Sequence, residues 1–241
     1  MKINGAVALI TGANGGLGQF LTAELIRRGA NRVYAAARCR DSSLDALVAL
    51  DAVRIVPMAL DITDDGQAQA AAQAAADVDL LINNAGVMSF GTPAQTELAA
   101  VDRDMQVNFV GTLRVTKALI PVLEANHGTL VNILSLLALA PITGISPYCA
   151  SKAAGHSMTL ALRAELANRG ITVVGVYPGA MNTPMMAGVD SPKADPADVA
   201  LSVIDAIEAG VEDITPDPFS TDTYALWLED PKALERELAA F

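Results

Sequence analysis

The chain has little cysteine and histidine, with 2 of each among its 241 residues. Two cysteines, Cys39 and Cys149, are too few for a disulfide framework. Cys149 directly follows Tyr148, but no histidine or asparagine lies at a spacing typical of thiol catalysis, so thiol chemistry is disfavoured. His127 and His156 have no neighbouring metal ligands in the sequence, and we therefore predict no metal site.

Basic residues are also scarce. The chain carries 16 Lys and Arg against 27 Asp and Glu, which gives a formal net charge of −11 at pH 7. Such a surface repels phosphate backbones, and no stretch of the sequence concentrates lysine and arginine. We expect no nucleic-acid partner, and we interpret the acidity as favouring solubility.

Long apolar runs are absent as well. No stretch approaches the ~18 residues that a membrane span needs. The N-terminal residues lead into a glycine-rich turn without a small-residue cleavage site, so we expect no signal peptide. We expect a cytoplasmic protein without membrane association. With 52% hydrophobic residues, the chain can bury a sizeable core, and α/β chains of 200–250 residues are routinely one domain, which we predict for residues 1–241.

Short β-branched segments alternate with longer segments rich in alanine and leucine. This alternation is typical of βαβ units around a parallel sheet. The predicted strands cover residues 7–11, 32–37, 53–58, 80–83, 129–134, 171–177 and 213–215. The predicted helices cover residues 17–28, 44–50, 67–76, 97–123, 147–169, 195–208 and 223–240. The sequence thus predicts an α/β fold of the Rossmann-like, doubly wound type.

A glycine-rich turn follows the first predicted strand and opens the first helix. It runs from Thr11 to Gly18 and contains Gly12, Asn14 and Gly16. Glycines permit a tight turn and a close approach of the backbone, while free N–H groups and the helix dipole favour a pyrophosphate. In this strand–turn–helix setting the turn predicts a nucleotide site.

The end of the second predicted strand bears on which nucleotide binds. An acidic residue there would bind the ribose of NAD and repel a 2′-phosphate, but the strand ends in Ala37 and Arg38. The Arg38 guanidinium suits a phosphate, so NADP(H) is favoured over NAD(H), although a solvated surface arginine is the simpler alternative. Asp61, after the third strand, either holds the adenine amino group or caps the turn into the next helix.

Tyr148 and Lys152 are four residues apart and share one face of a predicted helix. A free tyrosine has a pKa of about 10, and lowering it to about 7 requires roughly 4 kcal/mol. A positive charge ~4 Å away supplies about that much only at an effective dielectric near 20, so the lysine must be partly sheltered. Ser135 follows an apolar strand and therefore lies at a carboxyl end of the sheet, where open α/β folds bind ligands.

Together these motifs resemble the short-chain dehydrogenase/reductase family over the N-terminal three quarters of the chain. The matching motifs are Thr11-Gly-x-x-x-Gly16-x-Gly18, Asp61, Asn83-Asn84-Ala85-Gly86, Asn108 within residues 107–111, Ser135, Tyr148-x-x-x-Lys152 and Pro178-Gly179-x-x-x-Thr183. The resemblance implies a seven-stranded parallel sheet with helices on both faces. It also implies hydride transfer between a nicotinamide and a carbonyl/alcohol pair.

The resemblance also implies roles for single residues. Tyr148 would be the general acid in ketone reduction, Lys152 would bind the ribose and lower the pKa of Tyr148, and Ser135 would bind the substrate oxygen. Asn108 would hold a water that links Lys152 to solvent. The predicted cofactor-binding residues are Gly12, Asn14, Gly16, Leu17, Gly18, Arg38, Asp61, Ile62, Asn84, Ala85, Gly86, Tyr148, Lys152, Pro178, Gly179, Met181 and Thr183.

Mostly apolar residues follow these motifs and predict the substrate pocket. They are Val87, Met88, Leu136, Leu137, Ile145, Met181, Met185 and Met186, with Ser89 and Asn182 as polar members. Methionines adapt to varied shapes, so we expect a permissive hydrophobic site for aliphatic or aromatic ketones and aldehydes. Alternatively, several of these residues belong to the hydrophobic core and not to a substrate pocket.

Three functions compete. The first is an NADPH-dependent carbonyl reductase; the second is an NAD(P)-dependent secondary alcohol or hydroxysteroid dehydrogenase; the third is a non-catalytic NADP(H) sensor, which the intact Tyr148 disfavours. Predicted helices 97–123 and 147–169 resemble the family's dimer-forming pair, so a homo-oligomer is expected.

The chain departs from the family in two places. Residues 185–195 are short for a substrate lid, and residues 216–219 and the helix around Trp227 do not match the family's usual C-terminus.

Overall fold

The computed structural model describes residues 1–239, in which seven parallel strands form one sheet. The strands are β1 (Val7–Thr11), β2 (Arg32–Ala37), β3 (Ile55–Ala59), β4 (Leu80–Asn83), β5 (Thr129–Ile133), β6 (Thr172–Val176) and β7 (Asp213–Ile214). Their order across the sheet is β3-β2-β1-β4-β5-β6-β7. The chain reverses direction across the sheet between β1 and β4, which is where open parallel sheets bind ligands. The predicted fold class is confirmed.

Helices cover both faces of the sheet. They are α1 (Leu17–Arg27), α2 (Ser42–Val48), α3 (Asp65–Ala74), α4 (Leu98–Met105), α5 (Thr112–Ala125), α6 (Ser146–Leu166), α7 (Pro196–Ala209), α8 (Pro218–Glu229) and α9 (Pro231–Leu238). A π-helical segment, Gln106–Gly111, joins α4 to α5.

Alternate residues of each strand point to opposite faces of the sheet, which creates two apolar layers. In β1, Ala8 and Ile10 pack in the layer formed with α1, α2 and α7, while Leu9 packs in the layer formed with α3, α5 and α6. Both layers consist mostly of buried aliphatic side chains, with Tyr34 and Met158 in the second layer. The strands therefore read as continuous apolar runs, as expected for a parallel sheet covered on both sides.

Several element boundaries differ from the predictions for identifiable reasons. The helix predicted over residues 97–123 contains the π-helical segment and continues to Ala125, beyond Pro121. The helix predicted over residues 223–240 is two helices, because Asp230 caps α9 and Pro231 occupies its first turn. The first of them starts earlier than predicted, at Pro218, where Asp217 and Ser220 form a capping box. The predicted end of this helix, Ala240, lies outside the described residues.

Candidate active site

A cavity of about 480 Å³ lies at the carboxyl ends of the strands. Residues from nearly every predicted motif line it: Gly12, Asn14, Gly16, Leu17, Arg38, Asp61, Ile62, Asn84, Ala85, Gly86, Ser135, Tyr148, Lys152, Pro178, Gly179, Met181, Thr183 and Met185. Folding thus brings the glycine-rich turn, the end of β2 and the tyrosine–lysine pair around one space. Gly18 and Asn108 lie behind this lining and support it.

The glycine-rich turn has the geometry of an anion site. Gly16 adopts a φ of 51° at the start of α1, and no side chain caps the helix. The Gly18 N–H donates to the Gly15 carbonyl at 3.1 Å, while the other N–H groups of the first helical turn have no side-chain cap and can meet a phosphate. A Cβ on Gly15 would meet nothing within 4 Å, whereas one on Gly18 would lie 2.4 Å from the Gly12 carbonyl oxygen. The turn is thus open toward the cavity and tightly packed behind it, which fits a dinucleotide pyrophosphate.

Asn14 in this turn is fixed from the neighbouring helix. Its Nδ2 donates to Asp41 Oδ2 at 2.7 Å, and Asp41 Oδ1 accepts from Leu44 N at 2.9 Å, capping α2. These two hydrogen bonds lower the pKa of Asp41. One carboxylate therefore holds both the turn and the segment that follows Arg38.

Arg38 is exposed at the end of β2 and lines the cavity. The nearby Arg40 pairs with Asp45 at 2.5 Å, whereas Arg38 forms no ion pair with any residue in 1–239. Asp61 accepts from Thr63 N at 2.8 Å and from Thr63 Oγ1 at 2.7 Å, and both bonds lower its pKa. Asp61 therefore stabilises the turn after β3, as the alternative interpretation held, while it also lines the cavity.

Tyr148, Lys152 and Ser135 meet at the opposite end of the cavity. Lys152 is buried, and its Nζ donates to the Ile133 carbonyl oxygen at 2.8 Å and lies 5.7 Å from the centroid of the Tyr148 ring. Ser135 Oγ accepts from Leu137 N at 3.2 Å, which orients the hydroxyl at the end of β5. A phenol, a hydroxyl and an ammonium thus face one space.

The electrostatics of this pair differ from the prediction. Burial raises the pKa of Tyr148 to about 12, partly offset by the Ser135 hydroxyl. Burial also lowers the pKa of Lys152 to about 8, partly offset by the Asp104 carboxylate. The expectation that Lys152 lowers the pKa of Tyr148 therefore does not hold for the protein alone, because desolvation of the phenol dominates and the opposing contribution comes from Ser135.

Two side chains from one helical stretch hold the segment after β4. Asn108 Oδ1 accepts from Val87 N at 2.8 Å, and Asn108 Nδ2 donates at 2.8 Å both to Val87 O and to Ser151 Oγ. Asp104, which is fully buried, accepts from Ser89 N at 2.9 Å and from Ser89 Oγ at 2.7 Å. Both amide hydrogens of Asn108 are thus used within the protein. Asp104 belongs to none of the predicted motifs, although its position one helical turn before Asn108 in the sequence is compatible with this role.

The predicted substrate residues separate into two groups. Val87, Met181 and Met185 line the cavity. Leu136 is instead buried beside Leu134 and Tyr177, Leu137 packs against α9, and Ile145 is buried at its bridge to Gly91. Met88 is half-buried outside the cavity lining, and Met186 lies in the short helical turn Pro184–Met186. The C-terminal helices explain the difference, because they cover the residues that follow Ser135.

Two further findings concern the described residues. In residues 1–239, no group of three or more His, Cys, Asp or Glu side chains is arranged to hold a metal ion. No helix in the same part of the chain has the length and apolarity required to cross a membrane.

Comparison with known proteins identifies the family of this chain. Residues 6–194 match the short chain dehydrogenase family. The chain belongs to this family. An uncharacterized oxidoreductase of Staphylococcus aureus (strain N315) is 33% identical over 211 residues, which cover 83% of this chain and 90% of the relative. The protein is therefore an oxidoreductase of the short-chain dehydrogenase type.

Solved structures of the family include complexes with different nucleotides. A short-chain dehydrogenase from Burkholderia cenocepacia J2315 in complex with NADP is 35% identical, with a TM-score of 0.92 and coverage of 99% of both chains. The 3-ketoacyl-(acyl-carrier-protein) reductase from Brucella melitensis, complexed with NADH, is 27% identical, with a TM-score of 0.81 and coverage of 88% of this chain and 97% of that one. Short-chain dehydrogenases of this fold thus bind either nicotinamide dinucleotide.

Proposed function

We propose that this short-chain dehydrogenase is an NADPH-dependent carbonyl reductase that converts ketones or aldehydes to alcohols and catalyses the reverse oxidation. The observation that carries the proposal is that Ser135, Tyr148 and Lys152 line the same cavity as the glycine-rich turn and Arg38. A bound nicotinamide supplies the hydride, and the chain supplies orientation and a proton.

Tyr148, Ser135 and Lys152 each have a separate role in the proposed reaction. With a pKa of about 12, the Tyr148 phenol is protonated at neutral pH and donates its proton to the carbonyl oxygen as that oxygen gains charge. The Ser135 hydroxyl donates a hydrogen bond to the same oxygen. Lys152 has three N–H donors, of which one binds the Ile133 carbonyl, so the others are available for the ribose. The protonated phenol is the form that reduction requires as an acid, whereas oxidation requires the phenolate as a base.

The preference for NADP(H) rests on charge at the end of β2. Arg38 forms no ion pair within 1–239, although its charge contributes to the lowered pKa of Asp61, and its guanidinium matches a phosphate in shape and charge. Ala37 leaves no carboxylate at the position that would bind a free ribose hydroxyl. The relative from Burkholderia cenocepacia, which holds NADP, supports this preference, while the NADH complex from Brucella melitensis keeps NAD(H) as the competing cofactor.

The substrate we propose is a small apolar ketone or aldehyde. Val87, Met181 and Met185 contribute apolar surface to the cavity that Tyr148 also lines, and Met185 is exposed. Methionine side chains adapt to varied shapes, which suits a permissive pocket.

We also propose a homo-oligomer, for which Leu98 on α4 and Leu160 on α6 offer exposed apolar surface. Light scattering of the purified protein tests this proposal.

A panel of carbonyl compounds tests the proposal. Purified protein is mixed with NADPH or NADH and each compound, and the nicotinamide absorbance is followed. We expect turnover of apolar ketones or aldehydes with NADPH ahead of NADH. A strong preference for charged or sugar-like carbonyls would contradict the proposed substrate class. Turnover of secondary alcohols or hydroxysteroids alone would favour the dehydrogenase alternative, and nucleotide binding without any turnover would favour the sensor.

A further inference from the structure

Asp217 lies in residues 216–219, where the chain departs from the family's usual C-terminal sequence. It is the N-cap of α8 and only 8% exposed. Its Oδ1 accepts from Ser220 N at 2.8 Å, which is the capping bond, and its Oδ2 accepts from Gly179 N at 3.0 Å. A helix cap requires only one acceptor oxygen. The second oxygen of Asp217 is thus used on a residue 38 positions earlier in the chain.

The bond to Gly179 reaches the rim of the cavity. Pro178 and Gly179 both line the cavity, on the side where β6 ends. The Pro178 carbonyl accepts from Leu136 N at 3.2 Å, so the rim is held from the turn after β5 on one side and from the start of α8 on the other. Phe219 also packs there, because a Cβ on Gly179 would lie 3.1 Å from Phe219 Cδ1. The rim is therefore fixed by the C-terminal helices as well as by the sheet.

We propose that Asp217 is a positioning residue that fixes the Pro178–Gly179 rim for the nicotinamide half of the cofactor. The inference rests on the proposed function, since it concerns the same cavity. An aspartate supplies two acceptor oxygens, and a hydrogen bond to a charged group is stronger than one between neutral groups. Without the second oxygen, α8 keeps its cap while the Gly179 N–H loses its partner and the rim gains freedom that a ligand must remove.

The sheet order determines which part of the nucleotide depends on this rim. Arg38 follows β2 and Pro178 follows β6, which are four strand spacings apart in the sheet. That separation is about 19 Å, at about 4.8 Å for each spacing. Tyr148 and Lys152 lie at the Pro178 end with Ser135, so the reacting ring belongs there and the 2′-phosphate belongs near Arg38. A nucleotide without nicotinamide therefore does not reach the rim.

Two variants distinguish the hydrogen bond between Asp217 and Gly179 from the capping of α8 by Asp217. Asp217→Ser keeps a preferred capping residue and removes the second acceptor oxygen. Ser220→Ala weakens the capping box and keeps the bond from Gly179 to Asp217. Calorimetric titration measures the Kd of wild type and both variants for NADPH, NADH and 2′-phospho-ADP-ribose, which lacks nicotinamide, and thermal unfolding gives each Tm.

We expect Asp217→Ser to raise the Kd for NADPH roughly tenfold, the scale of one hydrogen bond to a charged group. Its Kd for 2′-phospho-ADP-ribose should stay at the wild-type value. Ser220→Ala should lower Tm and leave both Kd values unchanged. Equal NADPH affinity in wild type and Asp217→Ser would overturn the inference, as would equal weakening of NADPH and the truncated nucleotide. If Asp217→Ser does not fold, Asp217→Asn, which retains the shape and loses one acceptor, takes its place with the same expected results.

These outcomes are distinct from failure of the proposed function. A wild-type protein that binds neither NADPH nor NADH defeats the proposed function itself. A wild-type protein that binds a dinucleotide while Asp217→Ser binds it equally well defeats only the role of Asp217.

Discussion

Replacing Lys152 with methionine should make the protein more stable at neutral pH while it removes activity. The ammonium is buried, and desolvation lowers its pKa from 10.5 to about 8. This difference corresponds to a cost of about 3 kcal/mol for the charged form in the folded state. The variant also loses the hydrogen bond to the Ile133 carbonyl, which costs about 1 kcal/mol. The expected net gain in the free energy of unfolding is therefore about 2 kcal/mol.

The pH dependence of stability separates the effect of the Lys152 charge from the effect of its hydrogen bond to Ile133. Between the folded pKa of about 8 and the unfolded value of 10.5, the unfolded chain binds a proton that the folded chain does not. Wild-type stability therefore rises with pH across this window, and below the window the cost is constant. The Lys152→Met variant lacks this rise, whereas every other titrating group is shared by both proteins. The stability advantage of the variant should therefore shrink by about 2 to 3 kcal/mol between about pH 7 and about pH 10.

Urea unfolding followed by Trp227 fluorescence measures both curves, provided that the slopes of the free energy against urea agree between the two proteins. Parallel stability curves across this pH range would refute the reasoning, because they would mean that Lys152 titrates alike in the folded and unfolded chains. A variant that is less stable at every pH, with a deficit that grows by about 2 to 3 kcal/mol between about pH 7 and about pH 10, would show instead that the hydrogen bond to Ile133 contributes more than assumed.

Three further predictions concern single side chains. Tyr148→Phe should keep NADPH affinity and lower kcat by on the order of 10²–10⁴, the contribution of a general acid; activity near the wild-type level would exclude it as proton donor. Arg38→Ala should raise KM for NADPH about tenfold or more and leave KM for NADH nearly unchanged, because only the phosphate needs the guanidinium; equal effects on both would remove the argument for NADP(H). Gly18→Ala should cost about 1–3 kcal/mol in urea unfolding, because its Cβ would overlap the Gly12 carbonyl; Gly144→Ala, where a Cβ meets nothing within 4 Å, is the control, and equal losses would contradict the packing argument.

The sequence predicted the sheet well because its strands are buried on both faces. The bounds of β1, β2 and β4 agree with the prediction, since each strand is a continuous apolar run that ends at glycine or a polar residue. Helix ends were harder to predict, because they depend on side chains that cap them. Asp230 and Pro231 divide the C-terminal segment into two helices, and an aspartate followed by proline is a helix-start signal that the sequence itself carries.

The candidate site was predictable where function depends on local spacing. The glycine-rich turn, the end of β2 and the pair of Tyr148 and Lys152 each follow from a short motif, and folding brings all of them to one cavity. The predicted substrate pocket was less accurate because it depends on tertiary packing. Leu136 and Leu137 follow Ser135 closely in the sequence, but neighbouring apolar residues and the C-terminal helices cover them. Desolvation likewise has no local signal, so the direction of the Tyr148 pKa was predicted wrongly for the protein alone.

The hydrogen bonds from Asp104 and Asn108 constrain how this scaffold can be redesigned. Four helical residues rise about 6 Å, and two extended residues span about 6.6 Å, so the two side chains match the spacing from Ser89 to Val87. The π-helical segment that contains Asn108 alters the angle between them relative to a regular helix. Deleting Gln106 or Val107, which lie between Asp104 and Asn108, would turn one of these two side chains away from its partner. Any graft of residues 87–89 from another scaffold must therefore bring residues 104–111 with it.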